Sequence, residues 1–448
     1  MHIIDYSFLF LVILLIVILG LVTRFKNPLS YLVAERSTGL FSLTATLVMT
    51  ELNTATLISF ASIGYIAGLW ALVMPCIFLI GLNFYAFTVA KKWKEYDGFS
   101  VSGFFRERFG KQFGTLVSIT LMTAMLGFSA TYVKSMALLF TPILPSLPDW
   151  ALAGLFTLLA LLITIRGGLI SIIYTDVLSF LLTLVFFPLL LYFCWNRSIE
   201  PSFTEGMNTL PPRFVFSLVV ITMFTYILAP WYGQKLFAAK NQTVAYTSVL
   251  LAAFIIFCLY ALVVLPAALI KSEGIILDHP EQVLPYILSH KLPYGFKGLG
   301  YAIFFAASAT TLTGLWNAMA AMVIDELGYT KDQKPRTLTC AIAFTSFVVS
   351  ITFIDSIFSK MILANIPIFA LSFALLGGFY WEKTSKAGAY LSVIVGLIWG
   401  TISYLYWGEE GGYTWYWAVF GLPFIFTTGI AGSILLPNKQ QTSDLYVA

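Results

Sequence analysis

A cluster of polar residues interrupts a long apolar span near the start of the chain. The span runs from Phe41 to Leu69, with Thr50-Glu51-Leu52-Asn53-Thr54 at its centre. A carboxylate at hydrocarbon depth is tolerated only where it faces an ion, a partner or water, and backbone unwinds there only where it lines a cavity. The cluster therefore indicates a binding site. The alternative is that Glu51 lies at the end of a helix rather than in the middle of a membrane span.

A second interruption of the same kind lies five spans later. Thr222, Thr225 and Tyr226 precede Ala229-Pro230-Trp231, where the proline removes a backbone donor and kinks the helix. Interrupted helices at matching positions of two five-helix halves indicate an inverted-repeat transporter with its site midway across the bilayer. Because five is odd, the two halves have opposite orientations, as that architecture requires.

Hydroxyl side chains are concentrated in another apolar span, in the sequence Ala306-Ala307-Ser308-Ala309-Thr310-Thr311-Leu312-Thr313. Taken singly, each small hydroxyl residue fits a helix packing face. Thr310 and Thr311 are adjacent, so both reach one small cation only if it lies close to the helix, where an opened turn adds a carbonyl oxygen. Such a cage of neutral oxygens suits Na+, particularly beside an unwound helix.

Two further charges lie within apolar spans. Asp176 stands just inside its span, where it is either a charge at a helix N-terminus, a partner of a basic residue, or a negative field on the inner route of a leaving cation. Lys134 lies near the middle of its span, and an ion pair with Glu51 would explain why both charges are tolerated. The alternative is that Lys134 extends toward the outer surface.

The elements that must position these residues are membrane helices. The 448 residues are 59% hydrophobic and only 10% charged, with a mean hydropathy of +0.89, which excludes an ordinary soluble domain. Charged and Pro/Gly-rich breaks divide the chain into thirteen stretches of about 20 residues, each able to cross a bilayer. We predict one membrane domain over 1–448. It comprises a peripheral helix and loop (1–36), a ten-helix core (37–380), and two peripheral helices with a short tail (381–448).

Basic residues predict the orientation in the membrane. With the N-terminus outside and the C-terminus in the cytoplasm, eighteen Lys and Arg residues fall on the inner side and six on the outer side. We therefore expect a multi-pass protein of the plasma membrane, the inner membrane in a bacterium. The longest outer segment, from Lys271 to Lys297, is expected to form short helices over an outer vestibule, or else a plain solvated loop.

Other functional classes find little support in the sequence. The net charge of +4 reflects the basic inner loops rather than affinity for nucleic acid. The four cysteines and three histidines form no metal-ligand motif or disulfide framework. No nucleophile and base stand at a consistent depth, so we do not expect an enzyme.

Several motifs occur in the order and spacing of a known family. They are Thr164-Ile165-Arg166-Gly167-Gly168-Leu169, Tyr174-Thr175-Asp176, Gln234-Lys235-Leu236-Phe237-Ala238-Ala239-Lys240, Ala306 to Thr311, and Asp325-Glu326-Leu327. With them the chain resembles the sodium:solute symporter family from residue 5 to about 436. That family holds proline, pantothenate, sugar and sialic acid transporters. The chain departs from the family pattern at Lys235, where an arginine is usual, and at Ala34 and Ser179.

The resemblance implies an all-α, LeuT-like fold with a five-plus-five inverted repeat, discontinuous helices 1 and 6, and Na+-driven alternating access. Helices are numbered here with the first span as zero. The implied sodium ligands are the carbonyls of Met49, Leu52 and Ala307 with the hydroxyls of Thr310 and Thr311, and Asp176 matches an aspartate near the inner exit. The residues expected to contact the solute are Glu51, Asn53, Thr54, Thr56, Lys134, Thr222, Thr225 and Tyr226.

These expectations describe a symporter that imports a small polar organic solute, either an amino acid such as proline or a related carboxylate or amine. Its partners are the solute, Na+ as coupling ion and the lipid bilayer, and the oligomeric state stays open, with a monomer as one option. One alternative is the same fold coupled to protons through Glu51. The other is a nontransporting membrane sensor, against which the short segment after Leu436 speaks.

Overall fold

The computed structural model describes residues 1–23, 28–96, 98, 100–195, 206–328, 334–409 and 412–438. Apart from turns and connecting segments, the described residues form helices, and one isolated bridge joins Thr38 to Ala239 outside them. The end of the predicted tail, 439–448, lies outside the described residues. The chain is therefore an all-α protein over the part that the structure describes.

Twenty-three α-helices follow one another along the described residues. They are α1 Ile3–Val22, α2 Pro28–Val33, α3 Leu40–Glu51, α4 Thr54–Ala67, α5 Val73–Tyr85, α6 Lys91–Tyr96, α7 Val101–Phe109, α8 Lys111–Phe140, α9 Asp149–Thr164, α10 Leu169–Cys194, α11 Gly206–Thr209, α12 Pro212–Tyr226, α13 Pro230–Phe237, α14 Gln242–Ser272, α15 Val283–Tyr286, α16 Phe296–Leu327, α17 Pro335–Thr352, α18 Ile357–Leu363, α19 Ile366–Ala370, α20 Ser372–Tyr380, α21 Lys386–Trp407, α22 Tyr413–Trp415 and α23 Gly421–Leu435. Short 3₁₀ and π segments join some of them.

The helices long and apolar enough to cross a membrane number ten among the described residues. The bent pair α12 and α13 gives an eleventh, and α3 and α9 are shorter apolar helices. One of the ten is the 43-residue run Thr54–Tyr96. That run contains Gly68, whose φ of 58° lies in the left-handed region that glycine adopts without strain. The thirteen spans predicted from the sequence thus differ from this number in how broken and short helices are divided.

Polar residues end α3 at Glu51 and start α4 at Thr54. Leu52 has φ −80° and ψ 89°, which is not helical, and Asn53 is extended. The Asn53 side chain accepts a hydrogen bond from the Thr56 amide at 2.9 Å, and asparagine is a preferred N-cap residue. The short sequence that interrupts the apolar span therefore builds the break itself, and the prediction of a discontinuous helix 1 is confirmed.

A proline produces the second break. α12 ends at Tyr226, α13 begins at Pro230, and the two axes meet at 40°. Proline is well suited to the first turn of a helix, because the missing N–H has no partner there in any case. The predicted interruption of helix 6 is confirmed.

The two broken helices lie among long helices that hold them closely. α14 packs against α3, α4 and α5, while α16 contacts α3, α8, α9 and α10. A Cβ added at Gly64 of α4 would lie 2.7 Å from the Val264 carbonyl oxygen of α14. The backbones of α4 and α14 thus approach so closely that only glycine fits at this contact.

Short helices form the segment between α14 and α16. A 3₁₀ turn at Pro280–Gln282 and α15 pack against α4, so short helices rather than a plain loop fill this segment. The Glu281 carboxylate accepts a hydrogen bond from the Ile357 amide at 3.2 Å, at the start of α18. Burial raises the pKa of the Glu281 carboxyl. The segment is thereby joined to α18.

Candidate functional site

A group of neutral oxygens meets where α3 ends beside the middle of α16. The Thr311 hydroxyl donates to the Met49 carbonyl at 2.6 Å and also lies 2.8 Å from the Ala307 carbonyl. The Thr310 hydroxyl lies 3.3 Å from the same Ala307 oxygen. All four residues are buried. The structure therefore brings these four expected sodium ligands together between two helices.

Leu52, the fifth expected sodium ligand, lies in the break between α3 and α4. No described residue donates a hydrogen bond to its carbonyl oxygen, so that oxygen is left for another partner. Carbonyl and hydroxyl oxygens without sulfur or imidazole form a set of ligands that hard cations prefer. The residues present therefore fit a Na+ ion by the chemistry of their oxygen atoms.

Asp176 of α10 lies beside this group, with its two carboxylate oxygens in different surroundings. Oδ2 accepts hydrogen bonds from the Thr46 hydroxyl and from Lys235 Nζ, the latter at 2.9 Å. Oδ1 is buried and has no hydrogen-bond partner among the described residues. Of the roles considered for Asp176, the pair with a basic residue is therefore present, and its partner is Lys235 of α13.

Lys235 is a buried residue of the site that the sequence analysis did not identify. Its ammonium lies 2.8 Å from the Thr46 carbonyl and 2.5 Å from the Thr50 hydroxyl, in addition to Asp176. Lys235 and Asp176 are at most 1% exposed. A signal was present in the sequence, because a lysine within the short, apolar stretch that follows the predicted kink needs a buried partner. The sequence analysis counted Lys235 among the basic residues of the inner side and noted it as a departure from the family pattern.

Glu51 occupies the last turn of α3 and faces a cavity. Its carboxylate accepts a hydrogen bond from the Tyr226 hydroxyl, and the side chain is only 4% exposed. Its backbone carbonyl accepts from the hydroxyls of Thr56 and Tyr260, each at 2.8 Å. No ion pair of Glu51 is present among the described residues. The carboxylate is thus held in place but forms no ion pair within the part of the chain that the structure describes.

The cavity beside Glu51 lies between the broken helices, α5, α8 and α18–α19. Five of the residues expected to contact the solute line it, namely Glu51, Thr56, Thr222, Thr225 and Tyr226. Most of its walls are apolar, with seven aromatic rings, from Phe60, Phe78, Phe128, Tyr132, Tyr226, Trp231 and Phe358. Most of these rings were not expected from the sequence, because apolar residues in a membrane span ordinarily face lipid or pack in the core.

Three expected solute contacts lie elsewhere. Asn53 caps α4, and the Thr54 hydroxyl lies 2.6 Å from the Ser135 hydroxyl, so both residues hold the break rather than line the cavity. Lys134 does not pair with Glu51, and that prediction is wrong. Lys134 Nζ lies 3.2 Å from Asp149 Oδ2, and its side chain is 30% exposed. Lys134 therefore extends outward, which is the alternative considered for it above.

The opposite end of the broken helices is closed by backbone contacts. The Thr38 amide donates to the Ala238 carbonyl at 2.9 Å, and the Lys240 amide donates to the Thr38 carbonyl at 3.0 Å. The Gln234 side chain donates to the Leu32 carbonyl at 2.7 Å. The cavity therefore reaches from the break toward α18, while the segment before α3 is fastened to the end of α13.

Comparison with known proteins identifies the family to which this chain belongs. The Sodium:solute symporter family matches residues 31–396. Sodium/myo-inositol cotransporter 2 of Rattus norvegicus is 22% identical over 315 residues, which are 56% of this chain and 47% of that protein. The corresponding protein of Sus scrofa is 23% identical over 322 residues, again 56% of this chain and 47% of that protein. The chain thus spans about half the length of the curated relatives it matches.

A solved structure matches almost the entire chain. It is the substrate-bound outward-open state of a Na+-coupled sialic acid symporter, with a TM-score of 0.82 at 15% identity, covering 98% of this chain and 99% of that one. With its two broken helices, the molecule has the LeuT-like fold of secondary transporters. Because the family match extends over most of the chain, the protein belongs to the sodium:solute symporter family.

Proposed function

We propose that the protein is a Na+-coupled symporter that imports a small polar organic solute by alternating access. The solute is an amino acid such as proline, or a related carboxylate or amine. The proposal is supported chiefly by the 2.6 Å contact between the Met49 carbonyl and the Thr311 hydroxyl at the same break where Glu51 faces the cavity. One break thus serves both an ion site and a solute site.

The shared break gives a physical basis for coupling. Na+ bound by Met49, Leu52, Ala307, Thr310 and Thr311 would join α3 to α16 and fix the backbone next to Glu51. Affinity for the solute then rises with Na+, and affinity for Na+ rises with the solute by the same factor. Asp176, with one buried oxygen lacking a partner, lies on the route by which the cation leaves. The N-terminus lies outside and the C-terminus in the cytoplasm of a bacterial inner membrane.

Uptake into proteoliposomes tests the ion site. Thr310→Ala and Thr311→Ala each remove a hydroxyl ligand, and we expect each to lower the apparent Na+ affinity by about tenfold or more, as for a lost ligand in a buried site. Thr345→Ala is the matched control, because the exposed Thr345 hydroxyl only donates within its own helix. If both site variants keep the full Na+ dependence of wild-type uptake, the site assignment fails.

The same proteoliposomes separate Na+ coupling from proton coupling. Uptake driven by a Na+ gradient at equal pH on both sides is expected, with no uptake when K+ replaces Na+. Uptake driven by a pH gradient without Na+ would instead support the proton-coupled alternative through Glu51. In that alternative Lys134 would replace a coupling cation beside Glu51, but Lys134 pairs with Asp149 instead.

A further inference from the structure

The charge and the lining of the cavity narrow the class of solute. Resting on the proposed solute site, we infer that the solute is a small organic cation without a carboxylate, whose positive group lies against Glu51 and the surrounding aromatic rings. Of the proposed solutes, amines therefore meet this description, whereas acids and zwitterions do not. Four features support a cationic solute, namely the charge of the cavity, its hydrogen-bonding groups, its aromatic rings and the amides at the break.

The cavity has one ionisable acid and no basic side chain among its described walls. Glu51 is that acid, and no lysine, arginine or histidine lines the cavity with it. The nearest buried ammonium, that of Lys235, is engaged by Asp176, Thr46 and Thr50. A buried carboxylate needs a partner of opposite charge or a proton. A cationic solute supplies that partner directly, whereas an anionic solute would lie beside Glu51 with only the proposed Na+ to balance both negative charges.

The hydroxyl groups in the walls mostly present acceptors. Thr222 donates to the Leu218 carbonyl and Thr225 to the Ile221 carbonyl, each at 2.7 Å. Thr56 donates to the Glu51 carbonyl at 2.8 Å. A hydroxyl has one proton to donate, so while these three bonds are kept the groups accept from a solute. An ammonium group, which only donates, matches them.

Aromatic rings line the same cavity as the Glu51 carboxylate. The Phe78 ring lies 5.2 Å from the Phe60 ring and 5.8 Å from the Tyr226 ring, both edge-on. On the other wall the Phe128 ring lies 5.2 Å from the Trp231 ring. The negative face of an aromatic ring attracts cations, and the attraction is larger where water is excluded. These rings also favour an apolar body around the charge.

The start of α4 offers little to a carboxylate. Helix N-termini often bind anions through their free amides. Here the Thr54 amide donates to the Ser308 hydroxyl at 2.5 Å, and the Thr56 amide donates to Asn53 Oδ1 at 2.9 Å. The Thr54 and Thr56 amides therefore already have partners and are not free to bind the acid group of an amino acid.

Matched solutes test the inference on the purified full-length protein. Thermal stability is measured in Na+ with choline, with 3,3-dimethyl-1-butanol, which has the same shape without charge, and with glycine betaine, which adds a carboxylate. Protonated pyrrolidine and proline form a second pair, and myo-inositol and sialic acid represent neutral and anionic solutes. We expect at least one of the two cations to raise the melting temperature in Na+ more than in K+, and its uncharged or carboxylated partner not to do so. The inference is overturned if neither cation stabilises the protein.

Glu51→Gln keeps the shape of the side chain and removes its charge. We expect the apparent affinity for the cation to fall by roughly thirtyfold or more, the usual scale for removing one partner of a buried charge pair, while Na+ alone still stabilises the variant. Glu95→Gln, which removes an exposed carboxylate paired with Lys92, is the control. If Glu51→Gln does not fold, the comparison of choline with its uncharged isostere decides the question in the wild-type protein.

Different results would contradict the proposed Na+ symport and the proposed cationic solute. If Na+ neither stabilises the protein nor drives uptake of any solute, the proposed symport fails. If Na+ drives uptake of proline, myo-inositol or sialic acid while the cations have no effect, symport stands and the cationic solute is wrong.

Discussion

The ion pair between Lys235 and Asp176 has the strongest consequences at the scale of single residues. The pair joins α13 to α10 in surroundings from which water is excluded, with both side chains at most 1% exposed. Thr46 and Thr50 of α3 add hydrogen bonds to it. Buried pairs do not always stabilise relative to apolar residues, but removal of one partner leaves an uncompensated charge.

Lys235→Met should therefore lower the free energy of unfolding by about 3–5 kcal/mol, because Asp176 remains charged and unpaired. The double variant Lys235→Met with Asp176→Asn should recover much of that loss. Melting temperatures in detergent provide the measurement. Lys92→Met is the control, since its pair with Glu95 is 37% and 57% exposed and exposed pairs contribute at most about 1 kcal/mol. Equal effects of Lys235→Met and Lys92→Met would contradict the reading of the buried pair.

Some residues of the candidate site can be recognised from a local signal in the sequence. Thr310 and Thr311 are adjacent, and Glu51 stands inside an apolar span, so both signals are visible in a few consecutive letters. The sequence analysis failed for Lys134, because charge alone does not reveal which way a long side chain extends. The aromatic walls were missed for a related reason, since Phe78 and Phe128 lie on different helices and meet only in the folded chain.

At the scale of elements, the break in helix 1 is a structure built by its own side chains. Asn53 caps α4, and its amide group also donates to the Glu51 carbonyl at 3.1 Å. The same break presents the Leu52 carbonyl to the proposed ion. The geometry of the ion site therefore depends on a cap that touches no ion.

Asn53→Ala should cost about 1 kcal/mol of stability, the usual effect of losing an N-cap, and should also weaken the stabilisation by Na+. Asn241→Ala is a matched control, because Asn241 caps α14 by accepting from the Val244 amide at 2.8 Å. We expect the control to lose similar stability with its Na+ response intact. Melting temperatures over a Na+ titration distinguish the two, and an unchanged Na+ response of Asn53→Ala would show that the cap does not shape the ion site.

The breaks of both helices were predictable because they rest on local chemistry. Polar residues and an N-cap interrupt one helix, and a proline interrupts the other. Segment counts were less predictable, since the break at Leu52 and Asn53 separates α3 from α4, and α9 has only 16 residues. Hydropathy measures only composition, and the division of a broken helix depends on its three-dimensional path.

At the scale of the whole molecule, one end of the site is open to a cavity and the other is closed. The cavity runs from Glu51 toward Phe358 of α18, whereas Thr38 is fastened to Ala238 and Lys240 at the far end. In the predicted orientation, the cavity faces outward. Alternating access then requires the Thr38 contacts to separate as the cavity closes.

Thiol labelling measures this exchange. In a variant whose native residues Cys76, Cys194, Cys258 and Cys340 are replaced by serine, Leu218→Cys reports on the cavity and Ala239→Cys on the closed end. We expect Na+ to increase labelling at 218 and decrease it at 239, relative to K+, because Na+ favours the outward-facing state. Changes of the same sign at both positions would contradict alternating access.

The Lys235–Asp176 pair also bears on how the protein is made. The two residues are 59 positions apart in the sequence, so a ribosome delivers Asp176 to the membrane well before Lys235. An unpaired charge costs about 2.5–3.5 kcal/mol at the centre of a membrane helix and less toward its end, where Asp176 lies. α10 therefore enters the bilayer carrying a charge whose partner arrives only when α13 has been synthesised.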